Sequence, residues 1–364
     1  MASSDDDLYQ GITDLTPRLL TTLEAFEQVQ RNMHPTRVDQ LADFIAPFEA
    51  ELQQAFEPFE QLQFPAHLEK FGNQMKSAAT YALRACSGVT NAGGDTWAAM
   101  KAMRAHVRAQ ENLYPVAGVL RPICQYFLEL PKREDSALIA ALSQDPVTEG
   151  LGVLHANNDR QSRGGFSLYV PEYLDPAGMA PVSLVIALHG GTGHGADFLW
   201  SWVREARTRG FIVMAPTSRD DTWSLMGDDI DLPLLLQEIE FITRQFNVDP
   251  DHILLTGMSD GATYSLLAGL QAQSPFTHLA PFSGVLHPDI SMSGNIRHAQ
   301  DRDIYLVHGT HDWMFPIETA YMAKEELEAA GARLVFRPID GLSHTYARTE
   351  NDALLNWFNP ALAL

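Results

Sequence analysis

The stretch LLTGMSDGAT, residues 254–263, decides how the second half of this 364-residue chain folds. Apolar residues run directly into Gly-Met-Ser-Asp-Gly, residues 257–261, and small residues suited to a helix follow at once. This is the G-x-S-x-G pattern of a nucleophile elbow, a sharp strand-to-helix turn that exposes a serine hydroxyl. The two glycines leave room where the turn brings backbones close together. The pattern therefore predicts a strand, a turn at Ser259 and a helix that starts near Gly261.

Short apolar runs alternate with helical patterns on both sides of this stretch. The runs are rich in Val, Ile, Leu and Phe and are bounded by Gly, Pro, Ser or Asp, which is typical of strands buried on both faces of a parallel sheet. They are FSLYVP, VSLVIALHG, FIVMAPTS, HILLTGMS, LAPFSGV, DIYLVHGT and RLVFRPID. The helical patterns between them lie at about 196–209, 229–246, 261–272, 316–330 and 350–358. The alternation predicts the α/β class, with a mostly parallel sheet flanked by helices.

The first half of the chain has a different pattern. Apolar residues recur at three- and four-residue spacing over about six segments, with no strand run, which predicts an all-α N-terminal domain. In the second of these segments Pro47 and Pro58 are expected to kink or break the helix. The polar stretch HANNDRQSRGGF, residues 155–166, is the expected boundary. We therefore predict a helical accessory domain at 1–150, acting as a lid or in oligomerisation, and a catalytic domain at 160–364.

The composition excludes several classes of partner. Acidic residues number 46 and basic residues 25, which gives a net charge of −21, and 45% of residues are hydrophobic. This is a globular composition whose negative surface repels phosphate backbones, so nucleic acid is not an expected partner. No apolar stretch approaches the ~18 residues that a membrane span needs. The N-terminus, MASSDDDLYQ, does not resemble a secretory signal. With only Cys86 and Cys124, expected to be reduced and buried, a cytoplasmic protein is predicted.

An acid and a base follow the serine in the chain. A serine hydroxyl needs a base to become a nucleophile, and in the fold that uses this elbow the order is serine, acid, histidine. Asp312 follows one predicted strand in HGTHDWMFP, and His344 follows the next in DGLSH. Asp340 is a fallback for the acid. Because parallel strands end at one edge of their sheet, we expect Ser259, Asp312 and His344 to converge as a catalytic triad.

The glycine-rich stretch LHGGTG, residues 188–193, follows another predicted strand. A main-chain N–H from this loop and one from the residue after the nucleophile form the oxyanion hole of such sites. We therefore expect the amides of Gly191 and Asp260 to hold the oxyanion. The Asp260 carboxylate is expected to point away from it. For substrate binding, Trp223 and Trp313 are predicted to line a pocket for an apolar or aromatic group.

These motifs resemble the α/β-hydrolase superfamily over residues 165–358, and within it the phospholipase/carboxylesterase group with the related polyhydroxybutyrate-depolymerase-like and feruloyl esterases. The resemblance rests on LHGG at 188–191, GMSDG at 257–261, HGTHDWMFP at 308–316 and GLSH at 341–344. It implies an α/β-hydrolase fold for the second half and the same triad. The helical N-terminal half lies outside the family pattern, so it is the expected source of a lid or of homo-oligomer contacts.

The leading interpretation is a metal-free serine carboxylesterase that acts on a small-molecule ester through an acyl-enzyme and needs no cofactor. Two alternatives stay open. One is a metal-dependent hydrolase using His189, His194, His308 and His311, because histidines close to an aspartate can bind zinc. The other is a non-catalytic binding protein on a hydrolase scaffold.

Overall fold

The structure is a computed structural model that describes residues 3–144, 149–175, 178 and 180–364. The chain divides into two compact units, Met1–Asp145 and Pro146–Leu364. In the described ranges, no helix combines the length and the apolar character needed to cross a bilayer. Each unit has its own core.

The first unit is built from helices. They are α1 (Asp5–Asn32), α2 (Val38–Glu60), α3 (Glu69–Thr90), α4 (Thr96–Leu113), α5 (Arg121–Tyr126) and α6 (Ser136–Leu142). A capping box starts α1: the Ser4 hydroxyl accepts from the Asp7 N–H, and the Asp7 carboxylate accepts from the Ser4 N–H. Both cysteines are buried in this unit and are not joined in a disulfide, as the sequence predicts.

The prolines do not break α2, which was one of the two outcomes expected of them. The helix runs through Pro47, and Pro58 lies in its last turn. Proline removes one main-chain hydrogen bond, but apolar packing can offset that loss. On this helix Ile45, Leu52 and Phe56 are all buried, so tertiary packing outweighs the local preference.

The second unit contains an eight-stranded sheet with helices between its strands. The strands are β1 (Gly152–Ala156), β2 (Gly165–Val170), β3 (Val182–Leu188), β4 (Ile212–Thr217), β5 (Val248–Met258), β6 (His278–Phe282), β7 (Asp303–Gly309) and β8 (Arg333–Ile339). The helices are α7 (Gly195–Phe198), α8 (Val203–Arg209), α9 (Leu232–Gln245), α10 (Asp260–Gly269), α11 (Pro288–Met292), α12 (Ile317–Ala329) and α13 (Asn351–Phe358). The strand order is β1-β2-β4-β3-β5-β6-β7-β8. The first two pairs are antiparallel and the others parallel, which confirms the predicted fold class.

Two elements were not predicted. Strand β1 precedes the first expected strand and pairs antiparallel with β2 at the edge of the sheet. The short helix α11 follows β6. In addition, the helix expected at 196–209 is two α-helices separated by a 3₁₀ turn at Leu199–Ser201.

The central strands are fully buried and fix the position of the functional loops. Every residue of β3 and β4 is buried, which explains their continuous apolar sequence. The register pairs Leu188 at the end of β3 with Gly257 near the end of β5. The glycine loop after β3 therefore begins beside the turn after β5.

Candidate active site

Ser259 lies at a sharp turn between β5 and α10. Its backbone is in a sparsely populated region, with φ 57° and ψ −119°, and its N–H donates to the Phe282 carbonyl at 2.9 Å. A Cβ added at Gly257 would come within 2.5 Å of the Gly261 carbonyl carbon, and one at Gly261 would come within 2.5 Å of the His189 carbonyl oxygen. Both glycines are therefore required by close backbone approach. The sequence pattern predicts this turn for the same reason.

The structure brings the three side chains singled out in the sequence together. His344 Nε2 lies 3.0 Å from Ser259 Oγ, and His344 Nδ1 lies 2.8 Å from Asp312 Oδ2. All three residues are buried, with 6 to 8% of their surface exposed. A carboxylate only accepts, so the Nδ1–H of His344 donates to Asp312 and leaves Nε2 to accept the serine proton.

The Asp312 carboxylate is held from two sides. Its Oδ1 accepts from the N–H groups of Met314 and Phe315, at 2.9 and 2.8 Å, while Oδ2 faces His344. Burial opposes ionisation, but the hydrogen bond and charge of His344 outweigh it, so the pKa of Asp312 lies below its ordinary value. This group is therefore an anion at neutral pH. The fallback acid, Asp340, accepts instead from the Thr310 hydroxyl at 3.3 Å.

His308 lies behind the Asp312 carboxylate. The side chain is fully buried, and its Nε2 donates to the Phe315 carbonyl at 2.8 Å and lies 3.5 Å from Asp312 Oδ2. Burial is the main cause that lowers the pKa of His308. The Phe315 ring in turn packs edge-on against His344, with ring centroids 5.3 Å apart. The loop that carries the acid is thus fixed against the base.

Gly191 and Asp260 approach each other beside the nucleophile. Within the described ranges, main-chain acceptors are found for the N–H groups of Thr192 and Gly193, at Asp221 and Gly190, but none is found for those of Gly191 and Asp260. Two N–H groups, one in the loop after β3 and one at the start of α10, thus stay available to an oxyanion.

The Asp260 carboxylate lies against the glycine loop after β3. Its Oδ2 would lie 2.6 Å from a Cβ on Gly191 and accepts from the Thr222 hydroxyl at 2.6 Å. The side chain is drawn toward Gly191 because Thr222 provides a donor there. Thr222 was not predicted from the sequence. Functional residues of a parallel sheet lie in the loops after its strands, which singles out the loop TSRDDTW but does not indicate which of its residues reaches the turn after β5.

His189 supports the glycine loop from below. Its Nδ1 donates to the Gly190 carbonyl at 2.7 Å, and its Nε2 accepts from the Ser218 N–H at 3.1 Å. Burial lowers the pKa of His189 to about 3, so the ring is neutral, as these two opposite hydrogen bonds require. The side chain joins the loop after β3 to the loop after β4.

The prediction that Trp223 lines a substrate pocket is wrong. Trp223 is 3% exposed and belongs to the core; its indole N–H donates to the His189 carbonyl at 2.8 Å, and its ring stacks on Tyr264. A large ring in a strand-end loop can bury itself by folding inward, and here it does. Trp313 is half-buried and lies directly beside Asp312 in the chain.

The histidines of the metal-dependent alternative do not gather. Across the described ranges, no group of three or more His, Cys, Asp or Glu side chains is arranged to hold a metal ion. Both ring nitrogens of His189 bond to the main chain, and His194 caps α7 by accepting from the Ala196 N–H. His308 faces Phe315, and His311 is exposed.

Comparison with known proteins points to one family. Residues 234–359 match the Phospholipase/Carboxylesterase family. A bifunctional acetylxylan esterase/xylanase, XynS20E from Neocallimastix patriciarum, is 29% identical over 143 residues, which cover 38% of this chain and 20% of that protein. The chain thus matches one fifth of the length of this relative.

Solved structures of similar fold include two esterases of carbohydrates. A truncated carbohydrate esterase from gut microbiota has 16% identity and a TM-score of 0.46, with 60% of this chain and 99% of that chain covered. The acetyl xylan esterase from Aspergillus awamori has 16% identity and a TM-score of 0.45, with 57% and 98% covered. Likeness of this degree says nothing about substrate. The residues that match the Phospholipase/Carboxylesterase family, 234–359, include Ser259, Asp312 and His344, so the chain resembles this family over the part of the second unit that carries all three side chains.

Proposed function

We propose that the protein is a serine carboxylesterase that hydrolyses carboxylic esters through an acyl-enzyme. The observation that carries this proposal is the chain of contacts from Ser259 Oγ to His344 Nε2, at 3.0 Å, and from His344 Nδ1 to Asp312 Oδ2, at 2.8 Å. This is the arrangement that activates a serine hydroxyl. It favours an enzyme over a non-catalytic binding protein, because the nucleophile, the base and the acid are all present.

In the first step His344 takes the proton of Ser259 while the serine oxygen attacks the ester carbonyl. The N–H groups of Gly191 and Asp260 hold the resulting oxyanion, and Asp312 stabilises the imidazolium. The imidazolium then gives its proton to the departing alcohol, which leaves the acyl group on Ser259. In the second step His344 takes a proton from water, which attacks the acyl carbonyl; the bond to Ser259 Oγ then breaks, the acid leaves and the imidazolium returns its proton to the serine oxygen.

For the substrate we propose small-molecule esters with short acyl groups. The 29% identical relative is named an acetylxylan esterase, which favours acetyl groups carried by a carbohydrate. Trp313, half-buried beside the acid, remains the proposed substrate contact, because an aromatic face packs well against a sugar or an alkyl chain. The net charge of −21 favours neutral over anionic esters.

Replacing the nucleophile tests the proposal. We expect Ser259→Ala to lose at least about 10³-fold in kcat on p-nitrophenyl acetate and to lose labelling by a fluorophosphonate, since the hydroxyl that would form the acyl-enzyme is removed. The matched control is Ser265→Ala. That serine is buried as well, inside α10, and its hydroxyl donates to the Ala262 carbonyl, so activity is expected to stay within about 2-fold of wild type.

Acetylated xylan and p-nitrophenyl esters of increasing acyl length then define the substrate class. Hydrolysis that survives in Ser259→Ala, or that is abolished by a chelator and restored by a divalent metal, would contradict the proposal.

A further inference from the structure

The polar segment before β2, residues 157–164, contacts the loops that form the candidate site. From the sequence it is expected to be a boundary between domains, yet its side chains contact β4, α7 and, through Arg163, the loops after β3 and β4. Asn158 accepts from the Thr217 hydroxyl at the end of β4, and Arg160 pairs with Asp197 in α7. The segment is therefore part of the support of these loops.

Arg163 makes the most extensive of these contacts. Its Nη2 donates to the Ser218 hydroxyl at 2.6 Å, to the Gly193 carbonyl at 3.2 Å and to the Asp221 carbonyl at 3.5 Å. Its Nε donates to the Ser218 carbonyl at 3.1 Å. Gly193 lies in the loop after β3, whereas Ser218 and Asp221 lie in the loop after β4. One guanidinium group thus holds two loops together.

This arginine is unusual in what it pairs with. Over the described ranges, no carboxylate lies within ion-pair distance of its guanidinium, although the chain carries 46 acidic residues. The half-buried charge is met by main-chain carbonyls and one hydroxyl instead. An arginine near the surface of an acidic protein would be expected to pair with a carboxylate. The contacts to main-chain carbonyls therefore indicate that Arg163 serves to hold the two loops in position.

One of these two loops, the one after β3, carries the proposed oxyanion donor Gly191. The N–H of Gly193 donates to the Gly190 carbonyl at 2.9 Å, which closes a tight turn around Gly191. The N–H of Thr192, in that turn, donates to the Asp221 carbonyl at 2.8 Å. Arg163 binds the carbonyls of Gly193 and Asp221 at the same junction, so the direction of the Gly191 N–H depends on the geometry that it holds.

We propose that Arg163 is a positioning residue for the oxyanion hole: its guanidinium fork fixes the loop after β3 against the loop after β4 and so aims the Gly191 N–H at the reacting carbonyl. This inference rests on the proposed esterase function. An oxyanion donor is effective only when it is aimed at the place where the charge develops, and a displacement of about 1 Å can cost about 100-fold in rate. Arg163 itself touches no reacting atom.

Three variants test this role. In Arg163→Met the loops lose the fork but keep a side chain of similar length, and we expect kcat to fall about 10- to 100-fold while KM changes less than about 3-fold. Arg163→Lys supplies a single donor group that cannot make the Nε and Nη2 contacts together, so a smaller loss is expected. The matched control is Arg219→Met, which removes an exposed charge from the loop after β4; its kcat is expected to stay within about 2-fold of wild type.

Rates are expressed per active site titrated with a fluorophosphonate, and thermal unfolding is followed for each variant. Affinity for a trifluoromethyl ketone, whose adduct with Ser259 carries the oxyanion, is expected to fall by the same factor as kcat/KM. Should Arg163→Met fail to fold, Arg163→Lys carries the test with the same readouts.

A folded Arg163 variant with wild-type kcat would overturn the inference. So would a variant whose kcat falls while its ketone affinity is unchanged. The proposed function fails separately: in that case the wild-type protein neither hydrolyses esters nor labels at Ser259. If the wild type does both and the Arg163 variants match it, only this inference is lost.

Discussion

At the scale of single residues, the site depends on how little room surrounds Gly191. The Asp260 carboxylate lies against this glycine because the Thr222 hydroxyl donates to it from the neighbouring loop. A side chain at position 191 would therefore meet a charged group that is already held in place. The glycine is needed for space rather than for backbone freedom, since its φ is not positive.

The crowding predicts the outcome of a double-mutant cycle. Adding a methyl group in Gly191→Ala places a Cβ 2.6 Å from Asp260 Oδ2. Relieving such a clash costs about 1 to 3 kcal/mol, so we expect kcat/KM to fall about 5- to 100-fold. In the double variant Gly191→Ala/Asp260→Ala the obstacle is absent, and part of the loss should return. Steady-state kinetics of the two single variants and the double variant measure the coupling; strict additivity would contradict this account.

The sequence indicates which residues meet but not how their surroundings are arranged. Ser259, Asp312 and His344 can be assigned to one sheet edge because each follows a strand and their chain order matches a known pattern. The placement of Trp223 could not be foreseen, because no periodicity tells which side chains of an irregular loop turn inward. Arg163 could not be found either, since its partners are main-chain carbonyls that leave no mark in the sequence.

At the scale of elements, the turn from β5 to α10 is the most constrained junction of the second unit. The turn was predictable because close approach of the backbones requires glycine at positions 257 and 261, and both glycines are visible in the sequence. Strand β1 was not, because an edge strand of five residues with one side partly exposed resembles a loop in its pattern. The continuity of α2 across Pro47 was not predicted either, because the tendency of proline to interrupt a helix was considered without the tertiary packing that outweighs it.

Two glycines of α10 differ in what surrounds them: Gly261 is packed against backbone and Gly269 against a side chain. A Cβ at Gly261 would meet the carbonyl oxygens of Leu188 and His189 at 2.5 Å, whereas one at Gly269 would meet the side chain of Leu279. Backbone cannot yield as a side chain can, so Gly261→Ala is expected to lose about 3 kcal/mol or more of unfolding free energy. Gly269→Ala should lose about 1 kcal/mol, because alanine favours the helix and Leu279 can move. Urea unfolding compares the two; equal losses would refute the distinction.

At the scale of the whole molecule, the excess of acidic residues sets how stability responds to pH. The net charge of −21 brings self-repulsion that grows as further acids ionise. One of the acids, Glu238 on α9, is 7% exposed, and burial together with the nearby Asp231 raises its pKa to about 8. In the unfolded chain it would titrate near 4.5. Between these values the folded state binds one more proton than the unfolded state, so stability falls as pH rises.

This behaviour predicts a pH-dependent effect of Glu238→Gln. At pH 4 the variant should be about as stable as wild type, and at pH 9 it should be more stable by about 5 kcal/mol, because the amide stays neutral where the carboxyl must ionise in a buried site. Glu240→Gln is the matched control, an exposed glutamate on the same helix. Urea unfolding from pH 4 to pH 9 measures both. A constant difference between Glu238→Gln and wild type over this range would contradict the burial argument.

The two units divide the chain's reactive groups between them. Ser259 lies in the second, while Cys86 and Cys124 are buried in the first, where burial raises the pKa of Cys86 to about 12. A thiol in that state resists alkylation until the helices around it separate. The rate at which iodoacetamide alkylates these cysteines would therefore measure the opening of the helical unit, while phosphonate labelling of Ser259 would measure the integrity of the second unit. The unfolding of each unit can thus be followed in one sample of the unmodified protein.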